Sequence, residues 1–182
     1  MLEDLFQLAV IVGSVREGRF GPVVADWFVG QAKQREDVSI DVIDLADTPI
    51  PAAQRSFADR VGAADAFVVV TPEYNHSFPG PLKHAIDSLG RQWQAKPVGF
   101  VSYGGLSGGL RAVEALRVVF AELHAVTIRE TVSFHSAWAR FHEHGAPRDP
   151  ELVNATAGAL LDQLAWWALA LRAARAARPY GS

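Results

Sequence analysis

The chain has 182 residues, 49% of them hydrophobic, a formal net charge of −3 and no cysteine. That is one domain's length with enough apolar content for a full core, and it offers no basic field to attract nucleic acid. Without thiols there can be no disulfide, cysteine-held zinc, iron–sulfur cluster or thiol catalysis, which fits a reducing compartment.

The opening Met1-Leu2-Glu3-Asp4 is acidic and the apolar run behind it is short, unlike a signal peptide or a membrane span. A soluble cytoplasmic protein with no membrane partner is the expectation. Phe6 to Val12 reads as a first strand, Pro22 to Gln34 as a helix with Val23, Val24, Trp27 and Phe28 at helical spacing, and Val38 to Leu45 as a second strand. Arg55 to Ala64 reads as a short helix and Ala66 to Thr71 as a strand apolar throughout. Leu82, Ala85, Ile86 and Leu89 then mark a helix that Gly90 would cap. Pro97 to Ser102 is the fourth strand, Leu110 to Leu123 an amphipathic helix and Thr127 to Phe134 the fifth strand. A long helix runs from Pro150 to about Ala177, with Asp149 as N-cap. Strands apolar throughout are covered on both faces, and their alternation with helices means a single doubly wound α/β domain over 1–182. Ligands of such sheets bind at the carboxyl ends of the strands.

Three turns at that end carry the chemistry. After the first strand, Gly13-Ser14-Val15-Arg16-Glu17-Gly18-Arg19-Phe20 precedes a helix start, which favours an anion. Ser14, Arg16 and Arg19 suit phosphate oxygens, and Phe20 would contribute through its backbone. After the third strand, Pro72-Glu73-Tyr74-Asn75 could turn backbone amides toward the polar edge of a flat ring, with Tyr74 against its face. After the fourth strand come Ser102, Gly104, Gly105 and, just ahead of a helix, Gly108-Gly109. Glycines let the backbone approach a ligand closely, and the helix start would favour negative charge on a reduced ring. The three turns together fit a mononucleotide with a flat aromatic head.

These residues resemble a known family. Gly13-Ser14-x-Arg16, Pro72-Glu73-Tyr74-Asn75 with Pro79-Gly80 and Leu82-Lys83-x-Ala85-Ile86-Asp87, and Tyr103-Gly104-Gly105-x-x-Gly108-Gly109-x-Arg111 are similar to the G-S-x-R, P-E-Y-N…P-G-x-L-K-N-A-I-D and Y-G-G-x-x-G-G-x-R motifs of the NAD(P)H-dependent FMN reductases of the flavodoxin-like superfamily. The resemblance covers most of the span from Leu8 to Val126. It implies bound FMN, NADPH or NADH as electron donor, a five-stranded parallel sheet of order 2-1-3-4-5, and a homodimer or homotetramer. It also implies hydride delivery to a quinone, free flavin, azo dye or similar small molecule. His84 stands where the family has Asn, and Arg19 where many members have a small hydroxyl residue. Arg16, Arg19 and Arg111 are candidates for an NADPH 2′-phosphate, with Arg111 equally readable as a helix-surface residue. No side chain is assigned as a catalytic acid or base, because a flavin brings its own chemistry.

His142-Glu143-His144 with His135 invites a metal reading, but the segment is a Gly/Pro-flanked loop without a fourth ligand, and no metal is expected. Leu106-Ser107-Gly108 only partly echoes a nucleophile elbow. In the long helix, Val153, Ala157, Leu160, Leu164, Trp167 and Leu171 form a core face. Leu161, Trp166 and Leu169 widen it toward a subunit interface, while Arg172, Arg175 and Arg178 read as a solvated end. The alternative function is a flavin-binding electron carrier or redox sensor without nicotinamide turnover. A carrier would be expected to be more acidic and to use a hydroxyl-rich phosphate turn.

Overall fold

The computed structural model describes residues 5–181; the acidic opening Met1 to Asp4 lies outside them. Five strands, β1 (Phe6–Val12), β2 (Val38–Asp44), β3 (Ala66–Pro72), β4 (Pro97–Gly104) and β5 (Val126–His135), form one parallel sheet in the order β2-β1-β3-β4-β5. The helices are α1 (Gly21–Ala32), α2 (Gln54–Ala63), α3 (Gly80–Asp87), α4 (Leu110–Glu122) and α5 (Pro150–Ala177). This is the flavodoxin-like arrangement expected from the sequence.

Successive residues of a strand point to opposite faces, so β1 and β3, buried along nearly their whole length, must feed two cores. Leu8, Val10, Val12, Val68 and Val70 pack with α1 and α5. Ala9, Ile11, Phe67 and Val69 pack with α2, α3 and α4. On α1 the i, i+3, i+4 set Val24, Trp27 and Phe28 faces inward. On α5, Leu160, Leu161 and Leu164 are at most 1% exposed, each worth about 1.5–3 kcal/mol of burial. Leu161 therefore belongs to the core, while Trp166 is 64% exposed.

Several local expectations are corrected. Gly90 does not cap α3: that helix ends at Asp87 with Ser88 as its C-cap, and Gly90 instead opens a 3-10 turn, Arg91–Trp93. That turn buries Trp93 completely, edge-on to Phe67 with ring centroids 4.8 Å apart. Asp149 flanks α5 without a side-chain capping bond. Arg172 and Arg175 are not a solvated end; they reach Asp65 at 3.2 Å each and the carbonyls of Leu5 and Ala95 at 2.6 Å.

Because all five strands are parallel, their carboxyl ends share one edge. Val12 lies beside Val70, Pro72 beside Tyr103, and Gly104 beside His135. This register brings the three glycine- and aromatic-bearing turns together.

Candidate flavin site

The first turn leaves β1 through Gly13, whose N–H donates to the Val70 carbonyl at 2.9 Å. From Ser14 to Gly18 the backbone N–H groups meet no acceptor among the described residues, and neither does that of Phe20. Helix α1 begins directly behind them with no capping side chain and no acidic residue in its first turn. A helix start with its donors free favours an anion. The Ser14 hydroxyl is buried and accepts from the Tyr103 hydroxyl at 3.1 Å, tying the turn to β4. Burial pushes the Tyr103 phenol well above its ordinary pKa, partly offset by the Ser14 bond, so it stays protonated.

The two arginines of this turn part company. Arg19 donates through both terminal nitrogens to the two oxygens of Asp44, at 2.7 Å each, and to the Ser14 carbonyl at 2.8 Å. That fork braces the turn against the end of β2 rather than standing free for phosphate. Arg16 instead lies over the Tyr74 ring, 3.6 Å from its centroid, bridging the first turn and the second.

In the second turn, Tyr74 and Ser77 exchange backbone bonds of 2.8 and 3.0 Å around Asn75 and His76, with φ of 51° and 67°. Two consecutive left-handed residues make a tight two-residue hairpin, a conformation that asparagine tolerates well. The Glu73 N–H donates to the Tyr103 carbonyl at 3.1 Å and the Tyr74 N–H to Ser77. Of the three amides expected to face a ring edge, only that of Asn75 lacks an acceptor among the described residues.

The third turn is held from below. The buried Ser102 hydroxyl donates to the Gly108 carbonyl at 2.8 Å, and Ser133 donates to the same oxygen at 2.9 Å. Ser102 thus shapes the glycine loop from its inner side. Gly109 has φ 88°, and a Cβ there would stand 2.7 Å from that of Ser102 and 2.9 Å from the Tyr103 nitrogen. Gly105 differs: a Cβ would meet nothing within 4 Å, and its φ is not left-handed. Among the described residues no contact calls for glycine there, so the loop presents open space over Gly105, whereas at Gly104 a Cβ would stand 3.3 Å from the Gly109 nitrogen.

Glu73 joins the second and third turns. Its carboxylate accepts from the Arg111 Nε at 2.6 Å, the Arg111 backbone N–H at 3.2 Å and the Ser107 hydroxyl. Arg111 is therefore no idle surface residue. Burial alone would raise the Glu73 pKa, but these donors outweigh it and hold it below the usual glutamate value.

Two roles were not foreseen from the sequence. Asp44 had no local signal, since its partner Arg19 comes from another turn. Tyr103 lay inside a quoted motif, but the chain gave no hint that its hydroxyl reaches Ser14. His84 is exposed and lines a hollow of about 280 Å³ with Val15, Thr48 and Ile50, beside the first turn. The three histidines 135, 142 and 144 do not assemble into a metal cluster, and no candidate cluster occurs among the described residues. His142 and His144 stack with centroids 5.3 Å apart.

A free-donor helix start, a hairpin with an aromatic and an open glycine loop, aligned along the carboxyl edge of a doubly wound sheet, define a flavodoxin-like mononucleotide-binding domain. Solved structures agree on the fold. The flavoenzyme NAD(P)H:(acceptor) oxidoreductase FerB of Paracoccus denitrificans superposes with a TM-score of 0.72 at 23% identity, over 90% of this chain and 97% of that one. In sequence, a quinone reductase of Escherichia coli is 34% identical over 144 residues, 71% of this chain and 77% of its own length. An NAD(P)H-dependent FMN reductase of Schizosaccharomyces pombe is 33% identical over 120 residues, 57% of this chain and 60% of that protein. The family described as NADPH-dependent FMN reductase matches residues 6–139.

The chain belongs to the NADPH-dependent FMN reductase family. It is an enzyme of the NAD(P)H-dependent flavin reductase and quinone reductase type, with FMN as its cofactor and NAD(P)H as its electron donor.

Proposed function

We propose that the carboxyl edge of the sheet holds FMN with its phosphate on the turn from Ser14 to Phe20 and its ring between the Tyr74 hairpin and the Gly104–Gly109 loop, serving hydride transfer from NAD(P)H to a small planar acceptor, a quinone first of all. The unpaired N–H groups from Ser14 to Gly18, at an uncapped helix start, carry this reading. When bound, FMN supplies the redox chemistry, accepting a hydride from reduced nicotinamide and passing it on.

The protein's part is to bind and orient. Arg19, braced by Asp44, and Ser14, held by Tyr103, fix the shape of the anion turn. Arg16 joins that turn to the ring hairpin, and Glu73 joins the hairpin to the glycine loop. No side chain is assigned as a proton donor, and the Tyr103 phenol is buried and already engaged with Ser14. Any proton that accompanies reduction of the acceptor comes from water.

Exposed Leu152 and Trp166 on α5 support self-association as a homodimer or homotetramer, and the absence of cysteine fits work in the cytoplasm. Among the described residues no helix is long and apolar enough to cross a membrane.

The test is anaerobic stopped-flow on FMN-loaded protein. Flavin bleaching by NADPH or NADH at turnover rates, followed by reoxidation on addition of a benzoquinone, is expected. Bound FMN that neither nucleotide reduces would point to a carrier or sensor instead.

A further inference from the structure

This inference rests on the functional reading above. The start of α4 looks in the sequence like a seat for negative charge on reduced flavin. In the structure a side chain of the protein already holds that seat. The Glu73 side chain is 6% exposed, and its two oxygens receive the Arg111 backbone N–H, the Arg111 Nε and the Ser107 hydroxyl. The carboxylate comes from the end of β3; its donors come from the glycine loop and the first turn of α4. One ion pair therefore spans both turns assigned to the ring. Its donors keep Glu73 ionised despite burial. Arg111 continues to the His76 Nε2, 2.7 Å away at the tip of the hairpin.

We propose that Glu73 and Arg111 form an opposed charge pair, oriented by Ser107, that sets the reduction potential of flavin held between the two turns. Neither residue is catalytic; both act as positioning residues on the ring's surroundings. Reduction adds negative charge to the ring. A fixed carboxylate beside it opposes that charge and also offsets the favourable end of α4. The guanidinium favours reduction, but it is 42% exposed and screened by water. The buried carboxylate therefore outweighs it. The net effect is a lower potential, making the bound cofactor a stronger reductant toward its acceptor.

The test compares wild type, Glu73→Gln, Arg111→Gln and Arg111→Lys. FMN affinity is read by fluorescence titration, the midpoint potential by equilibration with reference dyes, and folding by circular dichroism melts. Glu73→Gln should raise the preference for reduced over oxidised FMN about tenfold, which is about 30 mV for a two-electron couple. Arg111→Gln should lower the potential by a smaller amount, and Arg111→Lys, which keeps the charge, should restore it. Both glutamine variants should bind oxidised FMN several-fold more weakly, because both break the link between the turns.

Lost contacts alone would not move the potential in opposite directions. Shifts of the same sign in the two glutamine variants, or none in either, would overturn the proposal. If Glu73→Gln does not fold, the two Arg111 variants decide it: equal potentials for glutamine and lysine would overturn it. Wild-type protein that takes up no FMN would overturn the functional reading itself, and this inference with it.

Discussion

Removing the Tyr103 hydroxyl tests how the anion turn is anchored. Tyr103 is 4% exposed and donates at 3.1 Å to a Ser14 hydroxyl that is wholly buried. Tyr103→Phe deletes that bond while keeping the ring, including its edge contact with Phe20 at 6.2 Å. A typical net hydrogen bond contributes about 0.5–1.5 kcal/mol, and leaving Ser14 one partner short adds to the loss. The expected destabilisation is about 1–2 kcal/mol, or roughly 3–6 °C in Tm for a domain of this size. Urea unfolding of the flavin-free protein measures it directly. A cycle with Ser14→Ala should give a coupling of about 1 kcal/mol, since each single change already breaks the shared bond. If Tyr103→Phe unfolds with wild-type stability, or the two changes simply add, the hydroxyl pair does not anchor the turn.

Two glycines should respond in opposite ways. Gly109→Ala places a Cβ at φ 88°, against Ser102; the left-handed backbone costs about 1–2 kcal/mol and the overlap about 1–3 more, so the flavin-free protein should melt well below wild type. Gly105→Ala meets no protein atom within 4 Å and should leave the melt unchanged while weakening FMN binding in a calorimetric titration. At the other end of the sheet, burial pushes Lys96 down to about 8, aided by Arg175 and opposed by Asp65. Its unfolded value lies near 10.4, so between these the unfolded chain holds the extra proton and stability must rise with pH, by up to a few kcal/mol. Denaturation series across that window should show the rise, and Lys96→Met should flatten it. Above about 10 the raised Tyr103 pKa works in the opposite direction.

Elements that depend on local pattern were readable from the sequence. Phe6–Val12 and Pro150–Ala177 begin and end where hydrophobic runs, Pro150 and spacing place them. The three turns were readable too, because glycine and proline mark where a strand gives way to a helix. Their internal wiring was not. Glu73 meets Arg111 across 38 positions and Arg19 meets Asp44 across 25. Such pairs follow from the register that sets Pro72 beside Tyr103, which no local window contains. For the same reason Arg19 looked like a phosphate ligand and Arg175 like a solvated tip. An arginine's sequence neighbours do not reveal the carboxylate that a distant strand end will bring to it. Gly90 misled differently: glycine after a helical run usually caps it, but here burial of Trp93 turns the chain into a second, tighter helical turn.

Asp65, at the far end of β3, bears on how the domain assembles. Its carboxylate receives the backbone N–H of Gln7 from β1 and the guanidinium groups of Arg172 and Arg175 from α5. The arginine contacts close loops of 107 and 110 residues, so they form only between parts of the chain that are distant in sequence. They become worthwhile only once β1 and β3 already lie side by side. The end of α5 then acts as a latch over the joined β1 and β3, and a chain in which it has not docked would keep a carboxylate at the sheet's lower rim that has yet to find its counter-ions.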